Sequence, residues 1–209
     1  MSVKVKICGI TNASDAHQAV ADGADALGFV LFRQSPRYVR PEVIKDIVRA
    51  LPPFIIPVGV FVNEQPTVIR EIMDQCGLMM AQIHGDETPR DCEELGRPVL
   101  RGIRLRNQDS FLALAEYRGR MNVRGFVLDA YSESAYGGTG HTADWDLAAT
   151  AASSLPILLA GGLTPDNVQE AIQKVHPYGV DVSSGVESEP GKKDPGKLQR
   201  FIQAAKLVS

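Results

Sequence analysis

A cysteine at position 8 and an aspartate at position 129 are the two side chains whose placement most suggests chemistry. Cys8 ends the run Val3-Lys4-Val5-Lys6-Ile7, in which apolar residues and lysines alternate as the two faces of a strand do. The apolar set must meet a covering layer, so Cys8 shares the other face with Lys4 and Lys6. A charged Lys6 beside it would favour thiolate over thiol, lower a pKa that starts near ~8.5, and make Cys8 a base. Asp129 ends the apolar run Gly125-Phe126-Val127-Leu128, where a partly desolvated carboxyl can keep its proton and serve as an acid. The plain alternatives are a small buried cysteine and a capping or structural aspartate. On facing strands the two groups would form an acid/base pair.

Other candidates point to an anionic ligand. Gly161-Gly162 and Ser183-Ser184-Gly185 each follow an apolar run, and glycines let backbone N–H groups approach a phosphate. Gly137-Gly138-Thr139-Gly140 is no P-loop, because no Lys-Ser/Thr follows at the required spacing; it reads as a mobile loop over the site or as a long turn. Arg37, in Ser35-Pro36-Arg37-Tyr38, offers a planar fork for a substrate carboxylate unless it is one more solvated loop arginine. His84, before Gly85-Asp86, either orients a ligand or caps the next helix. One thiol, one imidazole and one carboxylate spread over three strands make a weak metal signature, so no metal is expected.

These residues need a scaffold that brings distant strand ends together. Apolar, β-branched runs predict eight strands: Val3–Cys8, Ala26–Leu31, Val58–Val62, Met80–His84, Val99–Arg104, Gly125–Asp129, Ile157–Ala160 and Gly179–Val182. The third is started after Pro57, since proline cannot donate to a central ladder. Amphipathic segments lie between them. Thr11 is expected to cap the first helix and Gly23 to end it, Pro41 and Pro66 open the next two, and Thr88-Pro89 and Thr164-Pro165 mark later starts. Eight strand–helix pairs in 209 residues give about 26 residues per unit, which predicts an α/β fold, a single (β/α)8 TIM barrel over residues 1–209. The rival, a doubly wound open sheet, would want a GxGxxG first turn, and Cys8-Gly9-Ile10-Thr11 lacks it. In such a barrel the strand C-terminal ends carry the site, and Cys8, His84, Asp129 and both glycine loops fall there.

Composition excludes several roles. Lys and Arg number 22 against 25 Asp and Glu, a net charge of -3 with no block of one sign, which disfavours nucleic acid and membrane surfaces as partners. Three cysteines, an odd number without a CxxC, predict a reduced, cytoplasmic chain. The segment from Leu51 to Val62 is too short and Pro-broken to span a bilayer, and the first residues lack an apolar signal.

The strand ends together resemble a family. Lys6-Ile7-Cys8-Gly9-Ile10-Thr11, Ser35-Pro36-Arg37-Tyr38, Gln82-Ile83-His84-Gly85-Asp86-Glu87, Gly137-Gly138-Thr139-Gly140, Leu159-Ala160-Gly161-Gly162-Leu163 and Asp181-Val182-Ser183-Ser184-Gly185-Val186-Glu187 resemble, in order, the motifs of phosphoribosylanthranilate isomerases of tryptophan biosynthesis. The resemblance implies an Amadori rearrangement of a phosphosugar without a cofactor. It implies Cys8 as general base, Asp129 as general acid, Arg37 on the anthranilate part, and the loops at Gly161-Gly162 and Ser183-Ser184-Gly185 on phosphate. The expected partner is therefore a small-molecule phosphosugar, with a monomer or homodimer as the assembly. A metal-dependent epimerase or a non-catalytic phosphate-binding barrel are the competing readings; a chelator separates the first, and the paired Cys8 and Asp129 argue against the second.

Overall fold

Among the described residues (2–105, 108–130 and 145–208), eight parallel strands alternate with eight helices in the computed structural model. β1 (Lys4–Cys8), α1 (Ala13–Asp22), β2 (Ala26–Val30) and α2 (Pro41–Arg49) open the series. β3 (Ile56–Phe61), α3 (Pro66–Cys76), β4 (Met80–Ile83) and α4 (Pro89–Leu95) follow, then β5 (Val99–Leu105), α5 (Ser110–Tyr117), β6 (Val123–Ala130) and α6 (Trp145–Ala152). β7 (Ile157–Leu159), α7 (Val168–Val175) and β8 (Gly179–Val182) complete the sheet. Between β8 and α8 (Pro195–Leu207) lie a 3-10 turn at Ser184–Val186 and a small antiparallel hairpin of β9 (Glu187–Glu189) and β10 (Lys192–Lys193). The strands pair in chain order and β8 pairs back onto β1, which closes the barrel that eight units predict.

The pleat sorts side chains into two cores. Val5, Ile7, Leu27 and Phe29 face outward and pack with helix residues such as Ile44, Phe201 and Ile202. Val58, Leu100, Val127, Leu158 and Ala160 fill the barrel interior as a separate apolar cluster. Above that floor the interior turns polar, for Lys6, Gln82 and Asp181 are 1%, 2% and 7% exposed. So β1 carries its lysines inward, as the alternation predicts.

Local chemistry explains most helix boundaries. Pro41, Pro66, Pro89 and Pro195 each stand in a first helical turn, where a missing N–H costs nothing, and Thr88 forms a capping box with Asp91. Two expected starts are corrected. α1 is capped by Asn12, whose side chain accepts from the Asp15 N–H at 2.9 Å, because the Thr11 hydroxyl instead donates to the Gly191 carbonyl of the β9–β10 hairpin. α7 begins at Val168 rather than behind Thr164, whose N–H is held by the Asn167 side chain at 2.8 Å.

The third strand is also corrected, since β3 includes Pro57 opposite Leu27. Pairing with β4 starts one residue later, at Val58 and Met80, so the absent N–H falls before that ladder begins. The Pro57 carbonyl still accepts from the Met79 N–H at 3.0 Å.

A buried cation organises the loop after β4. Arg101 of β5 donates to the carbonyls of Ile83 at 2.8 Å and Gly85 at 2.9 Å and reaches the Glu87 carboxylate at 3.4 Å, with its guanidinium over the Tyr117 ring at 4.8 Å. Glu87 in turn accepts from the backbone N–H groups of Gly85 and Asn63. Arg101→Met removes the cation that pairs with this buried carboxylate and is expected to destabilise the chain by about 3–5 kcal/mol. Urea unfolding should show it as a lower midpoint at unchanged slope; a loss under about 1 kcal/mol would mean that the loop holds itself without the clamp.

Candidate active site

A cleft opens at the C-terminal ends of the strands. It is lined by Cys8, Arg37, His84, Asp129, Gly161, Gly162, Ser183, Ser184 and Gly185, so the structure brings together the proposed acid, base and ligand-binding candidates among the described residues. Gly137-Gly138-Thr139-Gly140 lies outside the described residues. Val30, Phe32, Val60 and Leu163 supply apolar wall.

Cys8 stands directly opposite Gly28 in the β1–β2 ladder. A Cβ at Gly28 would lie 2.9 Å from the Cys8 Sγ and 3.1 Å from the Lys6 Nζ, so the glycine makes the space both groups occupy. Lys6 donates to the Asp181 carboxylate at 2.9 Å, its partner directly across the β1–β8 seam. Burial works against the Lys6 charge, but Asp181 and Cys8 outweigh it and hold the ammonium above the ordinary lysine value. The expected effect of Lys6 on the thiol is only half of what is found. Burial pushes the Cys8 thiol up and Asp181 adds to this; Lys6 and Lys193 pull it down without reversing the sign. At rest the thiol therefore keeps its proton more firmly than a free cysteine would.

Across the cleft, His84 Nε2 lies 3.5 Å from Asp129 Oδ2. His84 Nδ1 is 3.0 Å from the Gln82 side-chain amide nitrogen, which donates to it and so leaves the proton of a neutral ring on Nε2, toward Asp129. The ring fits because β5 has glycine beside it: a Cβ at Gly102 would come within 2.2 Å of Nδ1. His84 thus faces the cleft, and Thr88 rather than His84 caps α4.

Arg37 departs from its expected freedom. Its Nε and Nη2 donate to both oxygens of Glu187 at 2.8 and 2.7 Å, so that edge of the fork is already engaged and a ligand carboxylate must meet the remaining N–H groups. The Glu187 hydrogen bonds raise Arg37, while Glu187 itself, despite burial, is held below the usual carboxylate range by Arg37 and Lys193.

The two glycine loops interlock. Gly161 and Gly162 both adopt left-handed backbone, at φ 83° and 68°, which glycine alone adopts without strain. A Cβ on Gly185 would fall 1.8 Å from the Leu163 carbonyl oxygen, so the loop after β8 lies directly against the loop after β7. Among the described residues the buried Ser183 Oγ and Gln82 Oε1 have no hydrogen-bond partner, and both belong to residues that line the cleft. Among the described residues no group of three or more His, Cys, Asp or Glu could hold a metal ion.

Sequence reasoning missed Gln82, Asp181, Glu187 and Lys193 as parts of this site. The strand glycines Gly28 and Gly102 signal only the space kept for Cys8, Lys6 and His84, since glycine inside a strand marks a close approach; Asp181, Glu187 and Lys193 act through contacts between distant segments that leave no local pattern. Comparison with known proteins agrees with the geometry. A model of the N-(5'phosphoribosyl)anthranilate (PRA) isomerase family matches residues 5–204. The N-(5'-phosphoribosyl)anthranilate isomerase of Pelobacter propionicus is 55% identical, covering 98% of this chain and 96% of its own. The phosphoribosyl anthranilate isomerase structure from Thermotoga maritima superposes with a TM-score of 0.91 at 40% identity, covering 98% of each chain. Another solved isomerase, in complex with reduced 1-(o-carboxyphenylamino)-1-deoxyribulose 5-phosphate, gives 0.87 at 39% identity, again over 98% of each. Matched along almost its whole length, the chain belongs to the N-(5'-phosphoribosyl)anthranilate isomerase family.

Proposed function

We propose that Cys8 is the general base and Asp129 the general acid of this isomerase, with Arg37 and His84 on the anthranilate side and the two glycine loops on the phosphate. The reaction itself is that of the family, the Amadori rearrangement of N-(5'-phosphoribosyl)anthranilate to 1-(2-carboxyphenylamino)-1-deoxyribulose 5-phosphate in tryptophan biosynthesis. The observation that carries the assignment is that a thiol beside an ammonium and a carboxyl beside an imidazole line the same cleft.

In the first step the Asp129 carboxyl gives its proton to the furanose ring oxygen. The ring carbon–oxygen bond breaks, and the anthranilate nitrogen supplies its lone pair to form an iminium. Cys8, once it has lost its own proton to solvent with Lys6 and Lys193 favouring the anion, takes the proton from the second sugar carbon, and the released electron pair neutralises the iminium as an enolamine. That enolamine tautomerises to the ketone, its hydroxyl proton ending on the first sugar carbon, while Cys8 gives up the proton it took and Asp129 regains one through solvent. Each proton transfer is worth on the order of 10²–10⁴-fold. The Ser183 hydroxyl, without a partner among the described residues, and the left-handed Gly161-Gly162 turn support phosphate at the loop pair. Arg37 keeps N–H groups beyond those on Glu187 for the anthranilate carboxylate.

We infer a cytoplasmic setting from the three free thiols and the small-molecule substrate; none of the described helices is long and apolar enough to cross a membrane.

Turnover can be followed by the loss of substrate fluorescence, with phosphoribosylanthranilate generated freshly. Cys8→Ser should lose on the order of 10²-fold or more in kcat while still binding product, and full retained activity removes Cys8 from the role. Asp129→Asn cannot donate that proton and should lose a similar factor, so near-normal turnover would sink the acid assignment. Gly185→Ala forces the two loops apart and should raise KM for the phosphorylated substrate roughly tenfold or more, with an unchanged KM placing the phosphate elsewhere.

A further inference from the structure

A lysine that belongs to no barrel strand reaches the carbonyl of Cys8. Lys193 lies on β10, and its side chain is 1% exposed. Its Nζ donates to the Cys8 carbonyl at 2.6 Å, the Ser183 carbonyl at 3.2 Å and the Glu187 carboxylate at 3.0 Å. Three acceptors need three N–H donors, which only the ammonium form has. We propose that Lys193 is a positioning residue for Cys8, fixing the end of β1 against the end of β8 and supplying, in balance with Glu187, the charge that sets how readily the thiol ionises.

Position and charge come from the same hairpin. One ammonium ties the carbonyl of Cys8 to that of Ser183 in the proposed phosphate loop. The same Glu187 that receives it also holds Arg37 and the Gly191 N–H. Gly9 shows how tightly these parts meet, because a Cβ there would fall 2.7 Å from the Arg37 stem and 2.9 Å from the Ser183 hydroxyl. Burial pulls Lys193 down from the ordinary lysine value and Glu187 works against that pull, while the Cys8 and Ser183 carbonyls accept from the ammonium independently of Glu187.

The charged groups around the thiol are few and of known sign. Lys6 lies on its own strand, Asp181 on β8, Lys193 on β10, Glu187 on β9 and Arg37 in the loop after β2, while His84 and Asp129 line the same cleft. Lys6 is matched by Asp181 across the seam. Lys193 and Arg37 share one carboxylate, which leaves a surplus positive charge behind Cys8. Removing Lys193 should therefore make the thiolate harder to form, and removing the Glu187 charge should make it easier.

The catalytic consequence rests on Cys8 being the base, but the charge effect can be read without turnover. The intact enzyme is alkylated with iodoacetamide across a pH series, and the adduct on Cys8 is quantified by mass spectrometry, with Cys8→Ser as the blank for Cys76 and Cys92. Lys193→Met should raise the pH midpoint of Cys8 alkylation by roughly one unit, on the order of tenfold in rate below the midpoint. Lys193→Arg should keep the midpoint closer to wild type than Lys193→Met does, and Glu187→Gln should lower it. A purely structural hairpin predicts no such opposition: midpoints that stay fixed, or that move in the same direction for Lys193→Met and Glu187→Gln, overturn the proposal. Should Lys193→Met fail to fold, Glu187→Gln decides alone, and a midpoint that holds or rises is the overturning result. Full turnover by Cys8→Ser would remove the base assignment and leave this ionisation result standing, so the two failures are separable.

Discussion

An ion pair inside the barrel, Lys6 with Asp181, constrains the rest of the structure. Its two residues are directly paired across the seam where the last strand meets the first, and neither has more than a trace of solvent. Such a pair adds little net stability, because desolvation offsets the attraction, but each partner left alone would be strongly unfavourable. The seam can therefore close in only one register. A slip by one residue would turn Lys6 into the apolar layer under the helices and Cys8 away from the cleft. The same pair sets the polar environment that the thiol experiences, so closure of the fold and chemistry of the site rest on one contact.

Two further polar clamps divide the rim between them. Arg101 and Glu87 fix the loop that carries His84, and His84 stands beside Asp129. Lys193 and Glu187 fix the ends of β1 and β8, and with them Cys8 and Ser183. Each clamp is a cation held by backbone carbonyls and one carboxylate, and neither cation lines the cleft itself. The Asp129 side and the Cys8 side of the cleft thus have separate supports, joined through the barrel.

Much of this was legible in the sequence for a definite reason. Alternation in Val3-Lys4-Val5-Lys6-Ile7-Cys8 reports the pleat directly, so the facing of Cys8 could be read, and prolines and glycines mark helix ends where backbone chemistry leaves no choice. Pairings between distant segments were not legible. Lys193 is 185 residues from Cys8, Arg37 is 150 from Glu187, and neither distance leaves a local pattern. Pro57 was excluded from β3 by a rule that holds for a ladder on both sides, whereas here the ladder to β4 begins after it. The sign of the Cys8 shift was missed because a sequence names the neighbouring lysine but not the depth of burial or the opposed Asp181.

The contact between Gly185 and the Leu163 carbonyl has a consequence for the evolution and redesign of this barrel. With no room for even a methyl group between them, the loops after β7 and β8 form one interlocked surface rather than two exchangeable parts. A graft that swaps one of them from a barrel with a different ligand would bring a backbone shaped for an absent neighbour. Replacement of either loop must accordingly bring a matching neighbour with it.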